Sequence, residues 1–469
     1  MTFPIITPDI KEPLKDLKKQ ITKQNIDQKG TFDLISAAEL DAATAQKRRL
    51  MAEIKELEHQ KKWQDILTLA YPLEEKYPFL VELELDIELR KKIGFALVRC
   101  SMHQKALNLL LPLLKQEPEN FKISYAVAYA AYDALYMHKN KQLALSQKEK
   151  QNLLQLAHQY FKKCVNLKPD TVTVNYRLGM LYKEFEDKPR KAIPMFKKAI
   201  LNWDRMTISE REKRHQERPK FIKSLYHLAA CFVKLSLPSN SLKLLKRLLK
   251  EDEATNFIKP VFKYFALGKT FYALNQFKEA LEYLYTASAV AEGKRAPDYV
   301  IELTAGCLLM LNKPEKALAE IDRITLKYMR PYVRWRRSDI LVALKKHEEA
   351  LRTLEEGLDK DGISRHKTFL RIARIHYSMR EYDKAISAAE KAAQFYQKKF
   401  GNELKDAAFV QAVSLLGLKE ACNAKMLLEN LLKQGYSCPG FRKALLTAQK
   451  ECSDLKKEAL KCKNKNLIH

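Results

Sequence analysis

The stretch LGKTFYALNQFKEALEYLYTA, Leu267 to Ala287, carries three small residues, Gly268, Ala280 and Ala287, where a buried helix would ordinarily carry leucine. A glycine inside a helix costs about 1 kcal/mol relative to alanine, so it calls for a packing reason. The same spacing recurs along the chain. Ala385 has Ala373 twelve residues before it and Ala392 seven after, and Ala350 has Ser338 and Gly357 at the same offsets. Gly94 precedes Ala106 and Ala229 precedes Ser241 by twelve; Ala192 has Gly179 thirteen before and Ala199 seven after. Anchored on Ile66, Ala106, Ala157, Ala192, Ser241, Ala280, Ala317, Ala350, Ala385 and Ala424, the spacings are 40, 51, 35, 49, 39, 37, 33, 35 and 39. A period mostly in the thirties, with two helical patterns in each, is the signature of a helical solenoid.

The individual motifs sharpen this. YRLGMLY (Tyr176–Tyr182) and FALGKTF (Phe265–Phe271) share a leucine–glycine–aromatic pattern, and KAIPMFKKAI (Lys191–Ile200) and KEALEYLYTA (Lys278–Ala287) follow as second helices. Prolines at Pro78, Pro118 and Pro169 are placed to close second helices. In these features the chain resembles the tetratricopeptide-repeat family over about residues 47–440. The resemblance implies an all-α fold, a right-handed helical-repeat superhelix of about ten helix–turn–helix repeats, with first helices lining a concave groove. Within each repeat, antiparallel helices are expected to approach closely only where side chains are small, with Gly268 facing Ala280 and Ala287 making room for the next repeat. Leu267, Tyr264, Leu281 and Leu284 are expected to fill the remaining grooves.

Composition agrees with helix throughout: 46% of the 469 residues are apolar and only 12 are glycine. The chain divides into a polar, proline-bearing disordered tail over 1–30, a capping helix over 31–60 and a repeat region over 61–440. Insertions fall near 138–154 and 204–223, and 441–469 reads as a capping helix with a basic tail. The eight cysteines form no CxxC pair and fall mostly in apolar helical patterns, so reduced thiols are expected. No secretory pattern opens the sequence, and no apolar run approaches the ~20 residues that span a bilayer. These readings place the protein in the cytoplasm. Lysine and arginine number 85 against 57 acidic residues, a net +28 that attracts anionic partners.

No glycine-rich phosphate loop, HExxH or nucleophile elbow is present, so no catalysis, metal or cofactor is expected. Binding is the expectation instead. Projecting the first helices inward selects Lys223, Tyr226 and His227; Phe262, Phe265, Lys269 and Tyr272; Tyr332, Trp335 and Arg336; and Lys367, Arg371, Arg374 and Tyr377. Aromatics alternate with cations along this track, which suits a peptide bringing acidic and apolar side chains. A non-catalytic scaffold or adaptor for a protein or peptide partner is therefore expected. YMRPYVRWRR (Tyr328–Arg337) is its densest part, and reversing Arg336, Arg371 and Arg374 is expected to abolish capture of an acidic partner.

Some members of the resembled family hold the acidic tail of heat-shock chaperones in a clamp of lysine, asparagine and arginine. Lys367 and Arg371 match its last helix, but Arg336, Glu302 and Gly306 stand at the other positions, so that mode is not expected. The alternative function is a helical-repeat protein binding nucleic acid, RNA above all, through its basic surface. The charge and the basic insertion motivate it. The spread of charge over most of the chain and the absence of a per-repeat base-reading pattern rank it second.

Overall fold

The computed structural model describes residues 37–291, 293 and 296–465; the tail read over 1–30 and the last four residues lie outside them. The chain forms two compact units, Met1–Leu181 and Tyr182–His469. Among the described residues there is no strand. The first unit holds α1 (Ala37–His59), α2 (Trp63–Ala70), the short α3 (Leu73–Lys76) and α4 (Pro78–Glu82), α5 (Ile87–Arg99), α6 (His103–Gln116), α7 (Phe121–Lys139) and α8 (Gln147–Leu167). Next comes α9 (Val172–Glu184). The second unit continues with α10 (Pro189–Asp204), α11 (Ile208–Lys213), α12 (Arg218–Lys234), α13 (Pro238–Glu251), α14 (Pro260–Ala273), α15 (Phe277–Ala289) and α16 (Asp298–Met310). It ends with α17 (Pro314–Ile321), α18 (Pro331–Ala343), α19 (His347–Glu355), α20 (Arg365–Ser378), α21 (Tyr382–Phe400), α22 (Lys405–Gly417), α23 (Ala421–Lys433) and α24 (Phe441–Lys465).

All ten anchors, Ile66 through Ala424, lie on second helices and are 0% exposed. The reason for the gaps differs in detail from the sequence expectation. A Cβ added at Gly268 would lie 2.7 Å from Cγ of Leu284 and 3.2 Å from the Ala280 carbonyl oxygen. The glycine thus admits the leucine four residues after the anchor, as well as the anchor's backbone. Gly94 repeats this against Leu110, again four residues after its anchor. The anchor and the residue one turn later therefore form the buried ridge, and the first helix packs against it. At Ser241 the anchor carries a hydroxyl, which lies 3.0 Å from Oγ1 of Thr270 in the next first helix and is satisfied there. Gly268→Leu is expected to overpack the pair and lower stability by about 1–3 kcal/mol, read as a lower urea midpoint with far-UV circular dichroism unchanged before unfolding.

The turn inside each pair also repeats. Nine of the ten anchors have a residue with positive φ five positions before them: Lys61, Ser101, Asp187, Ser236, Asn275, Asn312, Lys345, Arg380 and Lys419. After it, a backbone N–H reaches back to close the first helix, as from Gln276 to Phe271 O at 3.0 Å and from Lys346 to Leu341 O at 2.8 Å. None of the nine is glycine, so each turn accepts a left-handed residue at about 1–2 kcal/mol. The tenth anchor, Ala157, follows the first insertion. There α7 and α8 are long, the connecting loop holds a positive φ at Lys141, and Ser146 with Glu149 caps α8 reciprocally. The second insertion forms α11, capped in the same way by Thr207 and Glu210, and a short 3-10 turn. Pro118 and Pro169 follow the ends of α6 and α8 as expected, but Pro78 opens the short α4 rather than closing a helix.

The last helix runs to Lys465. Its Phe441, Leu445 and Ala448 are buried with Ala412, Ala424 and Leu428, covering apolar surface that the final repeat would otherwise expose. Cys422 of α23 and Cys452 of α24 form a disulfide, with Cα atoms 4.8 Å apart. The reduced-thiol expectation does not hold for this pair, because helix packing brings together residues whose sequence spacing has no motif. Cys164, Cys231 and Cys307 are free and buried, and burial pushes their thiols up to about 12, 11 and 12. No helix among the described residues is long and apolar enough to cross a membrane.

Candidate functional site

In the second unit each first helix also touches the first helix one repeat on, so α16, α18, α20 and α22 form a continuous face. Residues spaced three, four and seven apart share one side of a helix, which places Arg336 with Asp339, and Lys367 with Arg371 and Arg374. The result is a charge ladder across repeats. Nε of Arg336 donates to Oε1 of Glu302 at 2.8 Å, Arg371 pairs with Asp339 at 3.4 Å, and Arg374 stands 4.0 Å from Asp406. Gly306 lets the first of these pairs form: a Cβ there would lie 3.1 Å from the Arg336 guanidinium. Glu302 and Gly306, one turn apart, are therefore a seat for an arginine of this same chain. Burial pushes the Asp339 carboxyl above its usual range against the pull of Arg371 and Arg336. Burial likewise holds the Arg371 guanidinium below its ordinary value, against Asp339.

Trp335 lies at the centre of this face, half-buried. Lys367 and Arg371 sit over its ring, 5.7 and 4.9 Å from the centroid, and its Nε1 donates to Oγ1 of Thr368 at 2.8 Å. Lys367 and Lys269 are exposed and have no carboxylate partner among the described residues. Beyond Arg374 and Tyr377 opens a cavity of about 310 Å³, walled also by Asp406, Phe409 and Tyr436. Tyr436 donates to Oδ1 of Asp406 at 2.7 Å, and burial raises its phenol.

The remaining residues of the sequence-derived track divide into smaller groups. Phe262 and Phe265 surround Tyr299, with centroids 6.2 and 4.7 Å away. Tyr226 and His227 meet edge to face, His227 stacks on Phe196, and burial raises the Tyr226 phenol to about 12. Tyr272 packs on Phe277 and Tyr377 on Tyr382, both across the turn within one repeat. Lys223 and Tyr332 are half-buried. The stretch YMRPYVRWRR is largely engaged internally: Arg334 is buried against Asp361, and Arg337 bonds Asp322, Glu349 and Thr353. Tyr299, Asp339, Thr368 and Asp406 belong to the face but were not read from the sequence. A search for carboxylates about one repeat away from each arginine would have found the two acids.

Residues 366–399, which lie within α20 and α21, match the tetratricopeptide repeat. No curated protein matches the chain in sequence. Among solved structures it is similar to PilW, a widely conserved type IV pilus biogenesis factor, at 15% identity and a TM-score of 0.38, covering 54% of this chain and 98% of PilW. It is similar to a tetratricopeptide repeat protein from Parabacteroides merdae at 14% identity and a TM-score of 0.42, covering 59% of this chain and 94% of that one. For yeast Tom70 the values are 14% and 0.40, with 88% and 97% covered. One tetratricopeptide repeat is thus matched outright, at 366–399, and its buried anchor and left-handed turn recur in most of the other helix pairs.

Proposed function

We propose that the protein is a non-catalytic scaffold that binds an acidic peptide or protein segment on the first-helix face of its second unit. The observation that carries this reading is the arrangement around Trp335. A half-buried indole bears two cations, exposed Lys367 and Arg371, and one turn beyond Arg371 on the same helix Arg374 stands at the rim of an aromatic cavity. An apolar side chain fits the cavity, and a neighbouring carboxylate meets Lys367 or Arg374. The basic insertion supports this reading over nucleic-acid binding, since three of its four arginines are engaged within the protein and only Arg205 is exposed. Arg211 donates to the Trp203 and Asp204 carbonyls, Arg214 pairs with Glu217, and Arg218 donates to the Glu251 carbonyl.

The ladder also refines the test. Arg336 and Arg371 already hold carboxylates, so reversing them would set like charges against Glu302 and Asp339 inside the face. The exposed cations are the cleaner choice: Lys269 and Lys367 have no carboxylate partner among the described residues, and Arg374 meets Asp406 only at 4.0 Å with both groups in solvent. Lys269→Glu with Lys367→Glu and Arg374→Glu is expected to weaken a labelled, end-capped octapeptide of alternating leucine and glutamate at least about tenfold, with far-UV circular dichroism unchanged. Undiminished binding would remove this face from the account. Affinity capture of the intact protein before and after nuclease treatment separates the nucleic-acid alternative, whose partners would be lost with the nucleic acid.

A further inference from the structure

Two second helices from consecutive repeats of the second unit, α10 and α13, present charge of one sign to solvent. Arg190, Lys191, Lys197 and Lys198 lie on α10, and Lys243, Lys246 and Lys250 on α13. Lys198 is half-buried and the others are exposed, and none has a carboxylate partner among the described residues. Each helix holds a single acid at its C-terminal end, Asp204 and Glu251. Both are taken by Arg247 of α13: Asp204 at 2.5 and 3.0 Å, and Glu251 at 3.6 Å. The same arginine thereby ties α13 to α10.

The second helices that follow are built differently. α15 carries Glu279 and Glu282 beside Lys278, α17 carries Glu315 and Glu320 beside Lys316, and α19 carries Glu348, Glu349 and Glu355 beside Arg352. Interspersed signs are enough to keep a helix surface soluble. Cations with no free acid among them generate a local positive field instead. An apolar side chain stands in its midst. At 3.6 residues per turn, Leu201 projects between Lys197 and Lys198, opposite the buried Ala192, Phe196 and Ala199, and it is 45% exposed.

We propose that this outer face of α10 and α13 docks on an anionic lipid bilayer, with its lysines over the headgroups and Leu201 entering the interface. Charge complementarity calls for an anionic occupant, and the form of the face selects among such occupants. A peptide is held in a groove, whereas these are the exposed ridges of helices. Nucleic acid is gripped by arginine forks and stacked on accessible rings. Here the cations are lysines apart from Arg190, and the ring that ends α10, Trp203, is buried. A lysine is a hydrated point charge suited to a diffuse anionic surface, and an aliphatic side chain among lysines suits the boundary between headgroups and acyl chains. The face belongs to second helices and does not depend on the reading of the Trp335 face.

The test is sedimentation of the full chain with sucrose-loaded vesicles of phosphatidylcholine, alone or with about 30% phosphatidylserine. The serine-containing vesicles are expected to bind at least about tenfold more tightly at about 0.1 M salt, with the difference shrinking as salt is raised. Lys191→Glu with Lys197→Glu, Lys243→Glu and Lys246→Glu is expected to remove the preference, with far-UV circular dichroism unchanged. The same number of reversals at exposed lysines elsewhere in the unit, Lys313→Glu, Lys316→Glu, Lys346→Glu and Lys360→Glu, is expected to leave it within about threefold. Leu201→Ser alters no charge and is expected to weaken vesicle binding severalfold. Equal binding to the two vesicle types, or an equal loss in both sets of reversals, would overturn the assignment. So would full-strength binding by Leu201→Ser, which leaves only an attraction that any anionic surface would satisfy. Should the four reversals disturb the helices, glutamine at the same positions decides by the same criterion. Binding of a single-stranded RNA oligonucleotide that is tighter than vesicle binding, and lost with the reversals on α10 and α13, would also overturn it in favour of nucleic acid.

Discussion

Asp361→Ala is expected to lower the stability of the second unit by about 3–5 kcal/mol, because it strands a buried guanidinium. Arg334 and Asp361 are 3% and 4% exposed. The arginine donates to the Met329 carbonyl at 2.7 Å, to the Gly357 carbonyl at 3.0 Å and to Asp361. The other carboxylate oxygen accepts from the Thr368 hydroxyl, which itself accepts from Trp335 Nε1. Losing the carboxylate therefore leaves the arginine unpaired and releases Thr368 from the contact that orients Trp335. The measurement is urea unfolding combined with amide hydrogen exchange, with protection lost first across residues 328–378. Exchanging both partners for apolar residues, Arg334→Met with Asp361→Leu, is expected to restore most of the loss, since no charge is then left buried. A single mutant as stable as the wild type would show that the pair does not hold α18 to α20. Gly357 belongs to the same network: an added Cβ would overlap the Arg334 guanidinium, so Gly357→Ala is expected to behave like the loss of Asp361.

Asp252→Ala is expected to have an effect of the same size, about 3–5 kcal/mol, by a different route. Asp252 is fully buried at the end of α13, and its carboxylate organises the loop leading to α14. One oxygen accepts from the Phe257 N–H and the Thr255 hydroxyl, both at 2.8 Å; the other accepts from the Ile258 N–H at 2.9 Å. Lys263, 4% exposed, pairs with the same carboxylate at 3.3 Å and donates to the Asp252 carbonyl and to Asn256. Alanine leaves a buried ammonium without its counter-charge and three donors without an acceptor. Because the pair is shielded from solvent, the loss is expected to change little between low and high salt. Chemical denaturation at two salt concentrations checks both points. Lys250→Ala, an exposed change nearby, serves as the control and is expected to stay within about 0.5 kcal/mol. A loss from Asp252→Ala that disappears at high salt would place the pair at the surface instead.

These two networks show where reading the sequence stops. Arg334 and Arg336 are two residues apart in one arginine-rich stretch and look alike in sequence. One is buried against Asp361 and the other reaches the face toward Glu302, because successive helical positions point in directions about 100° apart and meet different neighbours. Cys422 and Cys452 carried no signal at all, since only the packing of α23 on α24 makes them neighbours.

The sequence by itself determined the helix pairs, their repeat and the ten buried anchors. Those rest on local periodicity and on side-chain size, both written within some twenty residues of each other. Only the tertiary structure decided which charges are paired inside the protein and which stay exposed. A guanidinium is satisfied by whatever carboxylate stacking brings within about 4 Å, and here that partner stands roughly one repeat away along the chain for Arg336 and Arg371.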